Sequence, residues 1–364
     1  MDTRKTMKRL LTILLCIPVL ALSQGVSSAP MTSQAIQTKR LDAFLDRVEN
    51  NNGGIGSVSI FKGGREIYAR SFGQQNLPGV THDADSKYQI ASVTKMVTAI
   101  LAFKLIEDGR LNLDDSLSSY FPAMPSARKI SIANLLGHTS GLGNFAIRNG
   151  EVWVVDPQTQ DQILEEIATQ GIAFEPGQRV AYSNSAYFLL RMIIEQVHGR
   201  AYHDIVAQEI AAPLGLRNFA STGSHPGNTF KSYAFSGEWR EIKDIDYSNV
   251  IGVGDIAATT HDLNVLISGL FEYKLVHKET LQQMQPELGG SGWGLGLAEF
   301  TYGEEHFLGH GGDVLGSHSR VIYNPEDDVA IAYSTNGERI PTNVFLEAIV
   351  DLVYGREAVF PVIK

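Results

Sequence analysis

Two groups of short alternating apolar segments lie near opposite ends of this chain, separated by a long stretch of helical periodicity. Residues 56–61 and 66–73 alternate around Gly63-Gly64 and read as a β-hairpin. Residues 293–300, 305–309, 317–324 and 329–336 carry the same pattern near the other end. A helix is expected over 34–50, with Leu41, Phe44, Leu45 and Val48 on its apolar face, and a second over 342–354. Strands need partners, so the two groups are expected to join in one sheet. The expected fold class is therefore α/β (α+β): an antiparallel sheet built from both chain ends and flanked by helices. In this reading residues 34–108 and 286–364 form the α/β domain, 109–285 form an inserted all-helical domain, and the active site lies between the two.

The chemistry begins at Ser92-Val93-Thr94-Lys95, which opens an apolar helical segment over 92–107 carrying Met96, Ile100, Leu101, Leu105 and Ile106 as a stripe. Side chains at i and i+3 share a helix face, so the Lys95 amine can sit against the Ser92 hydroxyl. A serine is a weak nucleophile until a base takes its proton, and lysine can be that base only with a lowered pKa. The Ser-x-x-Lys spacing recurs at Ser59–Lys62 and Ser126–Lys129, but the first falls in a strand, where i and i+3 point to opposite faces. The second follows Pro122 and Pro125 in a turn. Tyr182-Ser183-Asn184 likewise has a copy at Tyr247-Ser248-Asn249, yet only the first follows a Pro-Gly turn and leads directly into an amphipathic helix.

The run Phe174-Glu175-Pro176-Gly177, then Tyr182-Ser183-Asn184 and Tyr187-Phe188-Leu189-Leu190, resembles the class C β-lactamase and D,D-carboxypeptidase family of penicillin-recognising serine hydrolases. Leu135-Leu136-Gly137-His138-Thr139-Ser140-Gly141-Leu142, Trp293-Gly294-Leu295-Gly296 and Gly309-His310-Gly311-Gly312 resemble its other recurring segments, in the same order. The resemblance runs from about residue 40 to the C-terminus and implies a β-lactamase/transpeptidase-like fold. It implies Ser92 as nucleophile, Lys95 as its activator and Tyr182 as a phenol or phenolate that moves protons. Asn184 would donate to the substrate carbonyl and hold Lys95, while His310 would orient Tyr182 electrostatically. The backbone N–H groups of Ser92 and Asp313, beside Gly312, would form the oxyanion hole. The chain departs from the pattern at Gly311, where many relatives carry a threonine that holds the substrate carboxylate. That departure, with the acid at Asp313, leaves room for esters, amides or D-amino-acid peptides.

The resemblance implies a serine hydrolase that works through an acyl-enzyme and needs no cofactor or metal. A D-peptidase on peptidoglycan-type or D-amino-acid peptides is the first expectation; an esterase on small acyl esters or a class C-like β-lactamase is the alternative. The complete Ser92, Lys95, Tyr182 and Asn184 set argues against a non-catalytic penicillin-binding protein. Residues 1–23, with Arg4, Lys5, Lys8 and Arg9, an apolar run and Ala21-Leu22-Ser23, have the layout of a signal peptide, so a periplasmic or secreted location is expected. The apolar run is short for a membrane span, and Cys16, the sole cysteine, falls within it. The remaining 341 residues carry a net charge of −13, which argues against nucleic acid as a partner and for solubility; the resemblance implies a small-molecule or peptide substrate. His306 and His310 have a zinc-like spacing, but neighbouring glycines argue against the helix that spacing needs. His138 and Ser140 read as turn residues, and Gly252-Val253-Gly254-Asp255 as a turn lining the cleft.

Overall fold

The computed structural model describes residues 38–363, apart from 78, 80–81 and 288–289; the expected leader at 1–23 lies outside the described residues. Helix α1 (Thr38–Asn50) leads into the antiparallel hairpin β1 (Gly54–Lys62) and β2 (Arg65–Phe72). Helix α2 (Thr94–Glu107) follows the Ser92 turn, and α3 (Asn184–His198) and α4 (Thr260–Phe271) are the longest helices of the following region among the described residues. The chain then returns through β3 (Ala298–Tyr302), β4 (Glu305–Val314), β5 (Ser317–Asn324) and β6 (Val329–Glu338), and closes with α5 (Thr342–Val353). These strands form one antiparallel sheet in the order β3-β4-β5-β6-β1-β2, joining the two ends of the chain through β1 and β6.

Strand alternation assigns each face of the sheet to its own helices. Val58 and Ile60 of β1, with Ile331 and Tyr333 of β6, pack against Leu41 and Phe44 of α1 and Phe345 and Ile349 of α5. Phe61, Ala330 and Ala332 face the other way, into the cluster that holds α2, α3 and α4. Each large side chain fully withdrawn from water contributes about 1.5–3 kcal/mol. Helix α2 is buried around nearly its whole circumference, Lys95 included, instead of along one stripe. It lies between the sheet and α3, the setting in which a helix needs no polar face.

Two expected strands end elsewhere. The strand predicted at 293 begins only at Ala298, because Trp293-Gly294-Leu295-Gly296 folds into a turn closed by Gly294 N–H on the Leu297 carbonyl (2.8 Å), with Gly296 at φ 107°. The strand predicted to stop at 309 runs to Val314, carrying Gly309, His310, Gly311 and Gly312 into the sheet against β5. The region between the two sheet segments is largely helical but also holds short β pairings of two or three residues each. Such runs are too short to leave an alternating pattern in sequence.

One of these pairings builds the site. Tyr88–Gln89 and Phe219–Ser221 flank Ile256–Ala258 in a three-stranded sheet, bringing the turn before Ser92 beside the loop that ends at Asp255. Ile90 N–H donates to the Ile256 carbonyl (3.0 Å), and Ile256 N–H donates to Thr94 Oγ1 (3.2 Å). Asp255 is fully buried and folds its own loop, accepting from Gly252 N–H (2.7 Å), Thr222 N–H (3.1 Å) and Ser221 Oγ. Burial raises its carboxyl from 3.8 to about 6 against those hydrogen bonds. A folded pKa above the unfolded one gives a contribution that is complete below pH 3.8 and lost as pH rises through about 6. The loss is roughly 3 kcal/mol. Wild type is therefore expected to lose stability relative to Asp255→Asn between pH 4 and pH 7 in denaturant melts, whereas parallel profiles would contradict this assignment.

Candidate active site

Ser92 occupies a 3₁₀ turn, Ala91–Val93, immediately before α2, so its side chain faces the cleft while its backbone starts the helix. Ala91 has φ 47°, a left-handed conformation that costs an alanine energy and is held here by surrounding structure. Part of that structure is β4. A Cβ on Gly312 would lie 2.1 Å from the Ile90 carbonyl oxygen and 2.8 Å from Ser92 N, so only glycine lets the strand approach the turn this closely.

Lys95 Nζ lies 2.9 Å from Ser92 Oγ and 2.8 Å from the Val253 carbonyl oxygen, in a fully buried position. Burial drives its pKa well below 10.5. The amine also sits 4.9 Å from the Tyr182 ring centroid. A neutral lysine in this position has a lone pair and a hydroxyl within reach, which is the geometry of proton abstraction from Ser92.

Tyr182 is 37 % exposed at the cleft, but its phenol end lies in crowded surroundings. Burial raises the pKa above 10, Asp313 adds to the rise, and a hydrogen bond with Ser92 offsets part of it. The phenol form is thereby favoured over phenolate. Ser183 caps α3 by accepting from Ala186 N–H (3.2 Å), which fixes Tyr182 just outside the helix and Asn184 at its first residue. Asn184 Nδ2 donates to Asn144 Oδ1 (2.9 Å), while Lys95 is bonded to Ser92 and Val253. Asn144 and the Val253 carbonyl thus take places that residue-type patterns alone did not assign.

His310 sits on β4, buried, with Nδ1 2.6 Å from the Gly311 carbonyl oxygen and Nε2 without a hydrogen-bond partner. Burial, aided by the nearby Lys95, pushes its pKa down to about 3, so the ring is neutral near pH 7. A neutral ring carries no positive charge, and with Nδ1 facing the Gly311 carbonyl the lone pair is left on Nε2. Trp293 packs against Tyr182, His138 and His310 at centroid distances of 5.4, 5.3 and 5.7 Å, closing one wall. His138 also stacks on Tyr182 (4.5 Å) and accepts from Ser183 N–H at Nδ1 (3.2 Å). The turn histidine therefore has a hydrogen-bonded structural place that also braces Tyr182.

Asp313 lies where the two halves of the cleft meet. Its carboxylate receives Arg320 Nη1 and Nη2 at 3.0 and 3.1 Å and faces His318 Nδ1 at 2.9 Å. Burial would raise its pKa, but the His318 and Arg320 contacts outweigh it and hold the group below 3.8. The space above Gly311 is also taken by Arg320: a Cβ there would lie 2.9 Å from its Cδ and Nε. On one side of Ser92 the cleft is an apolar cavity of about 480 Å³ with Ile147, Val152, Val154 and Leu315 in its walls. On the other it is a more polar cavity of about 420 Å³ with Trp293, Glu299, His310 and Arg320.

The duplicate motifs lie elsewhere. Ser59 Oγ donates to Glu66 (2.7 Å) inside the sheet, and Ser126 occupies a turn at φ 54°. Tyr247 donates to Asp244 (2.9 Å), and Asn249 Nδ2 bonds the Val154 and Asp156 carbonyls. His306 is exposed beside Glu299, whereas His310 is buried.

Residues 44–354 match the family model described as beta-lactamase, and the chain belongs to that family. Its fold is the beta-lactamase/transpeptidase-like one of that family's solved relatives. It is 30 % identical over 232 residues to the D-alanyl-D-alanine-carboxypeptidase/endopeptidase AmpH of Escherichia coli K12, a match covering 60 % of this chain and 58 % of that relative's length. It is 24 % identical over 306 residues to the teichoic acid D-alanine hydrolase of Staphylococcus aureus, covering 82 % of this chain and 74 % of that one. Among solved structures, the D-amino acid amidase of Ochrobactrum anthropi SV3 complexed with L-phenylalanine superposes with a TM-score of 0.76 at 25 % identity, covering 87 % of this chain and 98 % of that one.

Lys95→Ala and Tyr182→Phe are each expected to lower kcat by on the order of 10²–10⁴. Their double mutant should lose little more than the worse single, because one amine and one phenol share a single hydroxyl. Tyr247→Phe should leave kcat near wild type. Additive losses, or damage confined to Tyr247→Phe, would overturn the assignment.

Proposed function

We propose that this chain is an exported hydrolase of D-amino-acid peptides, amides or related D-aminoacyl derivatives, acting through an acyl-enzyme on Ser92. The observation that carries this reading is the buried Lys95 amine, bonded to Ser92 Oγ and to a neutral carbonyl. Lys95 takes the Ser92 proton as Oγ attacks the acyl carbon. The backbone N–H groups of Ser92 and Asp313 receive the developing oxyanion, a pair of the kind worth about 2.7–4 kcal/mol per donor. Tyr182, as a phenol, donates a proton to the departing nitrogen and recovers one through Lys95; Asn184, anchored on Asn144, offers its second N–H to the substrate carbonyl. The bond to the leaving amine breaks as the Ser92 ester forms, and water then repeats the sequence to release the acid.

D-configuration is supported by the relatives, since AmpH, the teichoic acid hydrolase and the amidase all carry D-alanine or D-amino acid in their names. The apolar cavity beside Ser92 suits an aliphatic or aromatic side chain on the acyl residue. Export rests on the charge and apolar pattern of residues 1–23. An esterase acting on small acyl esters is the second reading, favoured by the exposed apolar side chains of Ile147, Val152 and Leu315 in the walls of that cavity.

Intact-mass and peptide-mapping experiments test the proposal. D-phenylalanine amide and its L-isomer are offered to wild type and to Ser92→Ala, with short-chain nitrophenyl esters in parallel. D over L is expected by on the order of 10², because inversion at the α-carbon misplaces the carbonyl relative to Ser92. Acyl mass should map to Ser92 and be absent from Ser92→Ala. Equal D and L rates alongside fast ester turnover would favour the esterase, and acylation at another serine would refute the site.

A further inference from the structure

Arg320 is the only arginine or lysine among the described residues that line the polar cavity beside Ser92. Its guanidinium is nearly enclosed, with a side chain 11 % exposed, and its Nε is buried without a partner against Gly311. Its Nη1 atom donates to the Gly312 carbonyl (3.2 Å), the Ser319 carbonyl (2.8 Å) and Asp313 Oδ1, and Nη2 donates to Asp313 Oδ2. The paired carboxylate belongs to a side chain that is 56 % exposed and reaches into both halves of the cleft. A fork-shaped cation at the head of the cavity is thus already held by a carboxylate supplied by the chain itself. Glu299 adds a second acid to the same wall, and the neutral His310 adds no charge, so the cavity presents two carboxylates to one guanidinium. An anion entering here meets a net negative field and a cation with its binding fork already occupied.

We infer that the Asp313–Arg320 pair sets substrate choice on this side of Ser92: Asp313 occupies Arg320 as an internal carboxylate, so molecules ending in a free carboxylate are turned away and those ending in an uncharged amide or ester are accepted. This deepens the proposed acyl-transfer reading and rests on Ser92 being its centre. The register explains why one side chain can do this. Gly311 pairs across the strands with Arg320 and Asp313 with His318, so Arg320 lies over the glycine and reaches the acid two residues farther along β4. With a bulkier residue at 311 Arg320 would be displaced from that position. With asparagine at 313 the guanidinium would lose its anion while the backbone N–H of residue 313 stays in place. A buried cation left without its partner is costly, and an incoming carboxylate removes that cost.

The test uses binding instead of turnover, so that it survives even if the chemistry assigned to Ser92 is wrong. N-acetyl-D-alanine and N-acetyl-D-alanine amide are titrated calorimetrically into Ser92→Ala, Ser92→Ala/Asp313→Asn and Ser92→Ala/Asp313→Asn/Arg320→Gln. The first is expected to prefer the amide. The second should shift the carboxylate-to-amide affinity ratio upward by about 10- to 100-fold, the range for hydrogen bonds to a charged group. The third should return it to the starting value. A ratio unchanged in the second protein overturns the inference, as does a gain that persists without Arg320, which would assign it to His318 or another group. If asparagine at 313 lowers the folded fraction in thermal melts, Asp313→Ser, which keeps a hydroxyl facing His318, replaces it with the same expected shift. Failure of wild type to form an acyl-enzyme on Ser92, with the ratio still shifting, would refute the catalytic proposal and leave this one standing.

Discussion

The site depends on an amine taken out of water without a counter-charge. Lys95 is buried on a helix that is itself buried nearly all round, and its close partners are the Ser92 hydroxyl and the Val253 carbonyl. Neither can neutralise an ammonium, so desolvation decides its state and favours the free base. A carboxylate at the same distance would reverse this by stabilising the charged form. Asp255, the acid nearest in sequence to Val253, is instead turned toward Gly252, Ser221 and Thr222. It fixes the loop that presents the Val253 carbonyl.

The rest of the fold brings distant parts of the chain to that amine. The central sheet joins β1 from one end of the chain to β6 from the other, which places β4 beside the Ser92 turn. Gly312 permits the close approach, and the small three-stranded sheet ties the same turn to the 252–255 loop from the opposite direction. The capped start of α3 supplies Tyr182 and Asn184. Four separate stretches of chain thus converge on one hydroxyl. The apolar and polar halves of the cleft then diverge from Ser92.

Much of this was legible in the residues. Alternation around Gly63-Gly64 and in the last strands revealed a sheet made from both ends, because burial of one face leaves a period of two. Ser92 and Lys95 could be separated from their copies because helix and strand give the same spacing opposite geometries. Other features left no pattern. The Val253 carbonyl belongs to no residue type, and the contact of Asn184 with Asn144 spans 40 positions without a repeat. Arg320 acquires its role from cross-strand register, and the absent threonine hydroxyl at Gly311 proves to be space filled by that guanidinium. The protonation of His310 leaves no trace in the motif, because a histidine's residue type carries no record of its burial, and burial here lowers its pKa. The strand through Gly309–Gly312 was cut short because glycine runs read as turns, whereas these glycines admit neighbouring backbone and side chains.

The protonation state of Lys95 is the quantity on which this account turns, and it can be measured without any substrate. Lysines labelled with ¹³C at Cε and ¹⁵N at Nζ are followed by NMR through a pH titration, with Lys95→Arg used to assign the signal. The account predicts one lysine that titrates well below the others and is already neutral at the pH of catalysis. A Lys95 signal that titrates with the exposed lysines, near the ordinary value of about 10.4, would show an ammonium in the free enzyme and contradict the assignment of Lys95 as the base.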